Sequence, residues 1–311
     1  MLQLKLKIYL IIYLVIFMSN QAAKLKEMVK EKKSKVEASP QLAANARTIA
    51  VASGKGGVGK STFTVNFAYN LSKIGKKVLI VDSDIGMANL DILLGVQPKF
   101  DIGHLLRGEC TLEDALIEGP GGVKLLSGIT GDDTFINIGS QAVEKLVNIG
   151  AELEKDFDFL LIDLGAGAAN NIINTILAVE ELIIVLTSEP TSVMDSYSLI
   201  KILSNHNYSK SIKLVLNQCD NAKESEKISS RMIKTVGDYL DIDLEMLGTI
   251  SYDRKISTAV RRQKPYSEVF SGRKAADDIE KIAYEMAGRE KPAAGIKSYF
   301  YKMIGFFNKG S

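Results

Sequence analysis

Gly54-Lys55-Gly56-Gly57-Val58-Gly59-Lys60-Ser61 is the stretch on which the reading of this chain turns. It follows the apolar run Thr48-Ile49-Ala50-Val51-Ala52, a short strand by pattern, and precedes a segment of helical pattern from Thr62 to Lys73. The spacing GxxxxGK[ST] between a strand and a helix is that of a phosphate-binding loop. A turn of small residues lets backbone N–H groups wrap phosphate oxygens, and the helix that follows directs its positive end at the same anion. Lys60 stands where it reaches β and γ phosphates and Ser61 where its hydroxyl joins a magnesium shell; Gly54, Gly56, Gly57, Val58, Gly59 and Thr62 complete the cradle. Glycines used for turn geometry alone would leave Lys60 and Ser61 at these offsets unexplained.

Outward from the loop, Lys77-Val78-Leu79-Ile80-Val81-Asp82 is a second buried-strand candidate ending in an acid. Asp82-Ser83-Asp84 thus puts two carboxylates at a strand's carboxyl end, where open parallel sheets bind their ligands. One can hold magnesium through water and the other can orient an attacking water; ordinary turn aspartates are the alternative. Phe157-Asp158-Phe159-Leu160-Leu161-Ile162-Asp163 repeats the pattern, a hydrophobic strand terminating in Asp163, the candidate Walker B carboxylate. Gly165-Ala166-Gly167 beyond it can bring backbone close to a γ phosphate, and Asn170 and Asn171 are expected as helix caps. Further strands are expected at Leu182–Leu186, Ile212–Asn217 and Met246–Ile250, with helical segments around Asp195–Leu203 and Ala276–Met286. This alternation predicts an α/β fold, a mostly parallel sheet covered by helices on both faces. Glu189-Pro190-Thr191 and Asn217-Gln218-Cys219-Asp220 leave strand ends at the same rim, where Asn217 is either the reader of an adenine edge or a structural residue. Ile85 to Asp91, with Asn89, opens a segment able to sense a nucleotide.

Composition narrows the classes. The 311 residues suffice for one large α/β core or two smaller ones, and 46% apolar with 24% charged residues is an ordinary globular balance. Thirty-nine basic against 37 acidic residues leave +2, so no chain-wide surplus argues for nucleic acid; only a local basic face stays possible. Cys110 and Cys219 form no CxxC pair and fit reduced thiols in a cytosolic chain. His104 and His206 have no metal-ligand neighbours at a known spacing, and no Ser/His/acid or Cys/His nucleophilic site can be assembled.

The two ends read differently from the middle. Ile8 to Phe17 is an apolar run preceded by Lys5 and Lys7, well short of the roughly 20 residues a spanning helix needs. Met18-Ser19-Asn20-Gln21 is a poor signal-peptide cleavage site; a start upstream of a natural Met18 and a membrane anchor both remain open. From Asn20 to Lys30, Ala22, Leu25, Met28 and Val29 share one helical face ringed by Lys24, Lys26 and Lys30, a segment that gains order by docking. Residues 31–46, with Ser34, Ser39 and Pro40, read as a linker. At the other end, Lys291-Pro292-Ala293-Ala294-Gly295 is a break before an apolar helical face of Ile296, Tyr299, Phe300, Met303, Ile304 and Phe307, flanked by Lys297, Lys302 and Lys309. That helix is too short to span and suits an anionic membrane interface; packing back on the core is the alternative. The expected organisation is an N-terminal extension (1–46), a nucleotide-binding domain (47–290) and an amphipathic tail (291–311).

Lys55 adds a second lysine to the loop. With it, Gly54 to Thr62 resembles the deviant Walker A sequence of the MinD/ParA ATPases, as do Val81-Asp82-Ser83-Asp84 with Asn89, and Ile162-Asp163. The resemblance implies a P-loop NTPase that binds ATP with Mg2+, hydrolyses it to ADP, and sandwiches two ATPs between two monomers. On it, Lys60 holds phosphate, Ser61 binds magnesium, and Lys55 crosses to the partner's phosphates. Asp82 and Asp163 support the magnesium site, Asp84 orients the hydrolytic water, Asn89 belongs to the switch and Asn217 matches the adenine position. Leu164 departs from the Thr or Pro that relatives often carry.

Gly103 to Glu109, Glu118 to Lys124, Ile162 to Gly167 and Glu189-Pro190-Thr191 are similar to the flagellar-number regulators of the FlhG (FleN/YlxH) branch. In that light Asn20-Gln21-Ala22-Ala23-Lys24-Leu25-Lys26 resembles the Asp-Gln-Ala-x-x-Leu-Arg motif that stimulates the signal-recognition-particle-like flagellar GTPase FlhF. Asn20 replaces Asp and Lys26 replaces Arg, which keeps the charge but not the planar fork. The implied partners are an ATP-dependent second copy, FlhF, flagellar basal-body components and an anionic membrane surface bound by the tail. The implied place is the cytoplasm, with reversible attachment to the inner face of the cell membrane. Two alternatives stand beside this: a module that activates the GTPase with little ATP turnover, and a MinD-like septum-site ATPase. No specific nucleic acid is expected, and iron–sulfur carriers of the same broad fold would need cysteine ligands that two isolated thiols do not supply.

Overall fold

Strand β1 (Arg47–Ser53) is buried at every residue, as a continuous apolar run in the middle of a covered sheet must be. It leads through the loop into α1 (Lys60–Lys73), then β2 (Val78–Asp82), a short edge pair β3 (Leu116–Glu118) and β4 (Lys124–Leu126), and β5 (Phe159–Ala166). The chain continues through α2 (Asn170–Ala178), β6 (Glu181–Leu186), α3 (Pro190–Asn205), β7 (Ile212–Cys219), α4 (Ala222–Leu240), β8 (Leu244–Ser251) and α5 (Lys274–Gly288). This computed structural model describes residues 46–84, 89–128, 153 and 155–288. The N-terminal extension up to residue 45, the part of the switch segment at 85–88 and the amphipathic tail expected at 291–311 lie outside the described residues.

Among the described residues eight strands form one sheet in the order β3-β4-β2-β5-β1-β6-β7-β8. All neighbours are parallel except β3, which lies antiparallel on β4 at one edge. Alternation along β1 feeds two cores. Ile49 and Val51 face Phe63 and Phe67 of α1 and Ile279 and Ile282 of α5; Ala50 and Ala52 face Ile176 of α2, Leu199 and Leu203 of α3 and Val236 of α4. The expected α/β sheet with helices on both faces is therefore the observed fold.

At the amino ends of the strands, away from the loop, the buried Arg47 guanidinium donates to both oxygens of Glu181 at 2.7 and 2.9 Å and also to the Met286 carbonyl. Lys213 Nζ completes the set 2.9 Å from Glu181. One buried carboxylate thus bridges two buried cations and offsets one of their two charges, while Arg47 fastens the last turn of α5 to the first residue of the sheet.

Two expectations are corrected. The strand expected to terminate at Asp163 runs on to Ala166, because Ser53 extends β1 and pairs with Ala166 after a register shift. Asn170 and Asn171 do not cap: the N-cap of α2 is Ala169, with no side-chain bond, and Asn170 already lies inside the helix.

Candidate functional site

The carboxyl ends of β1, β2, β5, β6, β7 and β8 meet at one rim, so residues far apart in sequence become neighbours of the Gly54–Ser61 loop. Close packing fixes the loop. A Cβ on Gly54 would stand 2.3 Å from the Asp195 backbone carbon, so α3 seats against the loop only because residue 54 has no side chain. Gly59 takes φ 87° as the N-cap of α1, a left-handed conformation that glycine adopts freely. No side chain caps α1 and no acid stands in its first turn, which leaves the positive end of the helix available to an anion.

Beneath the loop the structure brings Lys60, Ser61 and Asp163 together. Lys60 Nζ donates to Asp163 Oδ2 at 2.8 Å and Ser61 Oγ donates to the same oxygen at 2.6 Å. Thr64 Oγ1 donates to Asp163 Oδ1 at 2.6 Å. Asp82 pairs with Asp163 in the β2–β5 register, yet its oxygens are engaged elsewhere. They accept the backbone N–H groups of Asp84 at 3.0 Å, Asn89 at 3.1 Å and Leu90 at 3.3 Å, so Asp82 pins both ends of the segment that holds Asp84. Burial pushes the Asp82 carboxyl up to about 6, against the pull of those N–H groups and with a further push from Asp163. Asp84 is also raised, by partial burial first, while Lys60 draws it down and Asp163 pushes it up. Its Oδ1 lies 3.4 Å from where a Cβ on Gly165 would stand, which places the carboxylate over the end of β5.

Lys55 turns the other way. Its Nζ donates to Glu189 Oε2 and Thr191 Oγ1, each at 2.9 Å, and the two charged side chains are 39% and 66% exposed. Lys60, from the same loop, is 8% exposed.

A cleft of about 290 Å³ opens beside the loop, between Gly57, Gly59 and Thr62 on one side and Asn217, Tyr252 and Arg254 on the other. Asn217 Nδ2 donates to the Val58 carbonyl at 2.8 Å, so this side chain braces the loop. It also lines the cleft, and both readings made of it from sequence keep a geometric footing.

The donor set fits a magnesium–nucleotide ligand. Among the described residues no three His, Cys, Asp or Glu side chains form a metal cage. Magnesium keeps several waters and takes one or two protein groups plus phosphate oxygens, which is what Ser61 and the neighbouring carboxylates can offer. Lys60 and the uncapped helix end suit the phosphates, and the cleft suits the nucleoside.

The family model described as the CobQ/CobB/MinD/ParA nucleotide binding domain matches residues 49–266. The chain belongs to that family. Within the MinD/ParA group, it is similar to the antiactivator FleN of Pseudomonas aeruginosa, 31% identical over 247 residues, covering 79% of this chain and 88% of that protein. It is also similar to the flagellum site-determining protein YlxH of Helicobacter pylori, 31% identical over 297 residues, covering 93% and 99%. Among solved structures, the septum site-determining protein MinD complexed with Mg-ADP from Pyrococcus horikoshii superposes with a TM-score of 0.61 at 28% identity, covering 78% of this chain and 98% of that one. Family and fold are those of the P-loop ATPases of MinD/ParA type, for which ATP or ADP with Mg2+ is the typical ligand.

Five residues of the site had no role assigned from sequence. Thr64 lies one helical turn after Lys60, a spacing that puts both on one face and could have flagged it. Glu189 and Thr191 were placed at the rim without a role, and nothing local pairs them with Lys55. Tyr252 and Arg254 follow a strand whose end the pattern did not fix.

Proposed function

We propose that this chain is an ATP-driven dimerisation switch: separate copies when empty or with ADP, a pair when two ATP–magnesium complexes are sandwiched between them. The observation that carries this is the divergence of the two lysines in one loop. Lys60 points inward to Asp163 and suits its own nucleotide, whereas Lys55 stands on the open rim, free to reach phosphates that another copy presents once it leaves Glu189. In this reading Lys60 and Ser61 hold phosphate and magnesium, Asp82 and Asp163 support the metal, Asp84 orients the water, and Asn89 belongs to the switch that Asp82 ties down. Gly54 to Thr62 wrap the phosphates, while Asn217 steadies the loop and faces the base.

The likeness to FleN and YlxH supports regulation of flagellar number or placement, with the front segment acting on the GTPase FlhF and basal-body components as further partners. The amphipathic tail would bring the pair to the inner face of the cell membrane, since two marginal anchors joined in a dimer gain avidity that one lacks. Among the described residues no helix is long and apolar enough to cross a membrane. A septum-site role is the second reading, favoured by the likeness to MinD.

Light-scattering mass of the Asp84→Ala variant with ATP and magnesium tests the switch: twice the monomer mass is expected, and a persistent monomer at saturating ATP rejects it. Titrating a peptide of residues 19–35 against FlhF separates the flagellar reading from the septum-site one; unchanged GTP hydrolysis counts against the former.

A further inference from the structure

The three donors on Asp163 differ in what nucleotide binding asks of them. Lys60 and Ser61 share Oδ2, and under the function proposed above the ammonium is drawn away to phosphate, while the Ser61 hydroxyl offers a lone pair to magnesium and keeps its proton on Oδ2. Among the described residues Thr64 alone holds Oδ1. Its hydroxyl also lies 3.1 Å from the Lys60 carbonyl, but one proton serves one acceptor, and the 2.6 Å contact to a carboxylate takes it. The side chain is fully buried in α1, behind the loop, and a threonine in a helix has few rotamers to choose from.

We infer that Thr64 is a positioning residue for the metal site: it fixes the plane of the Asp163 carboxylate when Lys60 lets go of Oδ2, so that this oxygen stays on the Ser61 hydroxyl and faces the magnesium shell. Without it the carboxylate keeps a single hydrogen bond, from Ser61, once Lys60 leaves, and can rotate about its last bond. The rigid contact comes from the same helix that carries Lys60 and Ser61, so the loop, the metal ligand and the carboxylate keep one spacing. This rests on the ATP–magnesium reading and goes beyond it in naming the group that orients the carboxylate.

The test compares full-length Thr64→Val, which keeps the shape and loses the hydroxyl, with Thr64→Ser, which keeps the hydroxyl. A fluorescent ATP analogue is titrated in EDTA and again over a range of magnesium concentrations. Thr64→Val is expected to need about tenfold more magnesium for half-maximal tightening, the usual scale for losing an outer-shell partner, while metal-free affinity stays within about twofold. Thr64→Ser is expected to recover the wild-type magnesium profile. Should Thr64→Val fail to fold, Thr64→Ala is read by the same titration. An unchanged magnesium profile in a folded hydroxyl-free variant, or an equal loss in EDTA, overturns the inference alone. Wild-type protein without magnesium-dependent nucleotide binding overturns the ATPase reading and this inference with it.

Discussion

Replacing Glu189 by Gln removes the charge that holds Lys55 on its own subunit while leaving Lys60, Ser61 and Asp163 untouched. The contact is a single 2.9 Å ion pair between half-exposed side chains, and such pairs contribute about 0.2–1 kcal/mol. Each lysine must leave its Glu189 before it can grip phosphate across a dimer, and a pair of copies breaks two such contacts. Losing them therefore favours dimerisation by about 0.4–2 kcal/mol, which is about 2- to 30-fold in the dimer dissociation constant. Sedimentation equilibrium of Glu189→Gln with ATP and magnesium, on an Asp84→Ala background to prevent turnover, reads this directly. The gain should shrink at high salt, because screening already weakens the contact in the parent. A weaker dimer at low salt would refute the reasoning, since Glu189 would then be contributing to the pair rather than restraining it.

Other expectations follow from charge and burial. Asp82 has a folded-state value of about 6 against an ordinary 3.8, so the folded chain holds an extra proton between those values. Its contribution therefore lowers stability as the pH rises through that window, by about 3 kcal/mol in metal-free protein; urea titrations from pH 4 to 7 should show this slope reduced in Asp82→Asn, and an identical slope in the variant would contradict it. Glu181→Gln leaves Arg47 and Lys213 buried without a counter-charge and is expected to destabilise the fold by about 3–5 kcal/mol, read by chemical denaturation, with nucleotide affinity kept in the protein that remains folded. Asn217→Ala removes the brace on the Val58 carbonyl and should weaken nucleotide binding in EDTA and in magnesium alike, because the loop rather than the metal is affected; a loss confined to magnesium would disagree.

The loop was legible because its chemistry is contiguous: strand, glycines, Lys60 and Ser61 follow one another, and no distant residue is needed to recognise them. The buried strands were legible for a similar reason, since Val78 to Asp82 is buried throughout and reads as a plain apolar run. Boundaries failed where pairing decides them, as at Ala166, which is strand only because Ser53 lies beside it. The three-residue edge strands β3 and β4 are too short to carry a period, and α4 buries only Met232 and Val236 among its apolar residues, with Ser225 and Ser229 buried beside them and Ile228, Ile233 and Leu240 only partly covered, so its apolar stripe is interrupted by serines. The partner of Lys55 was hidden most deeply. Glu189 lies 134 positions away and meets the loop only through the strand order that sets β6 beside β1.

Where Lys55 goes when ATP arrives decides whether nucleotide controls pairing. A structure of Asp84→Ala with ATP and magnesium gives the answer by the position of one nitrogen. The prediction is a pair of copies with each Lys55 Nζ parted from Glu189 and within hydrogen-bond distance of the other copy's phosphates; a triphosphate bound with Lys55 still on its own Glu189 would contradict it.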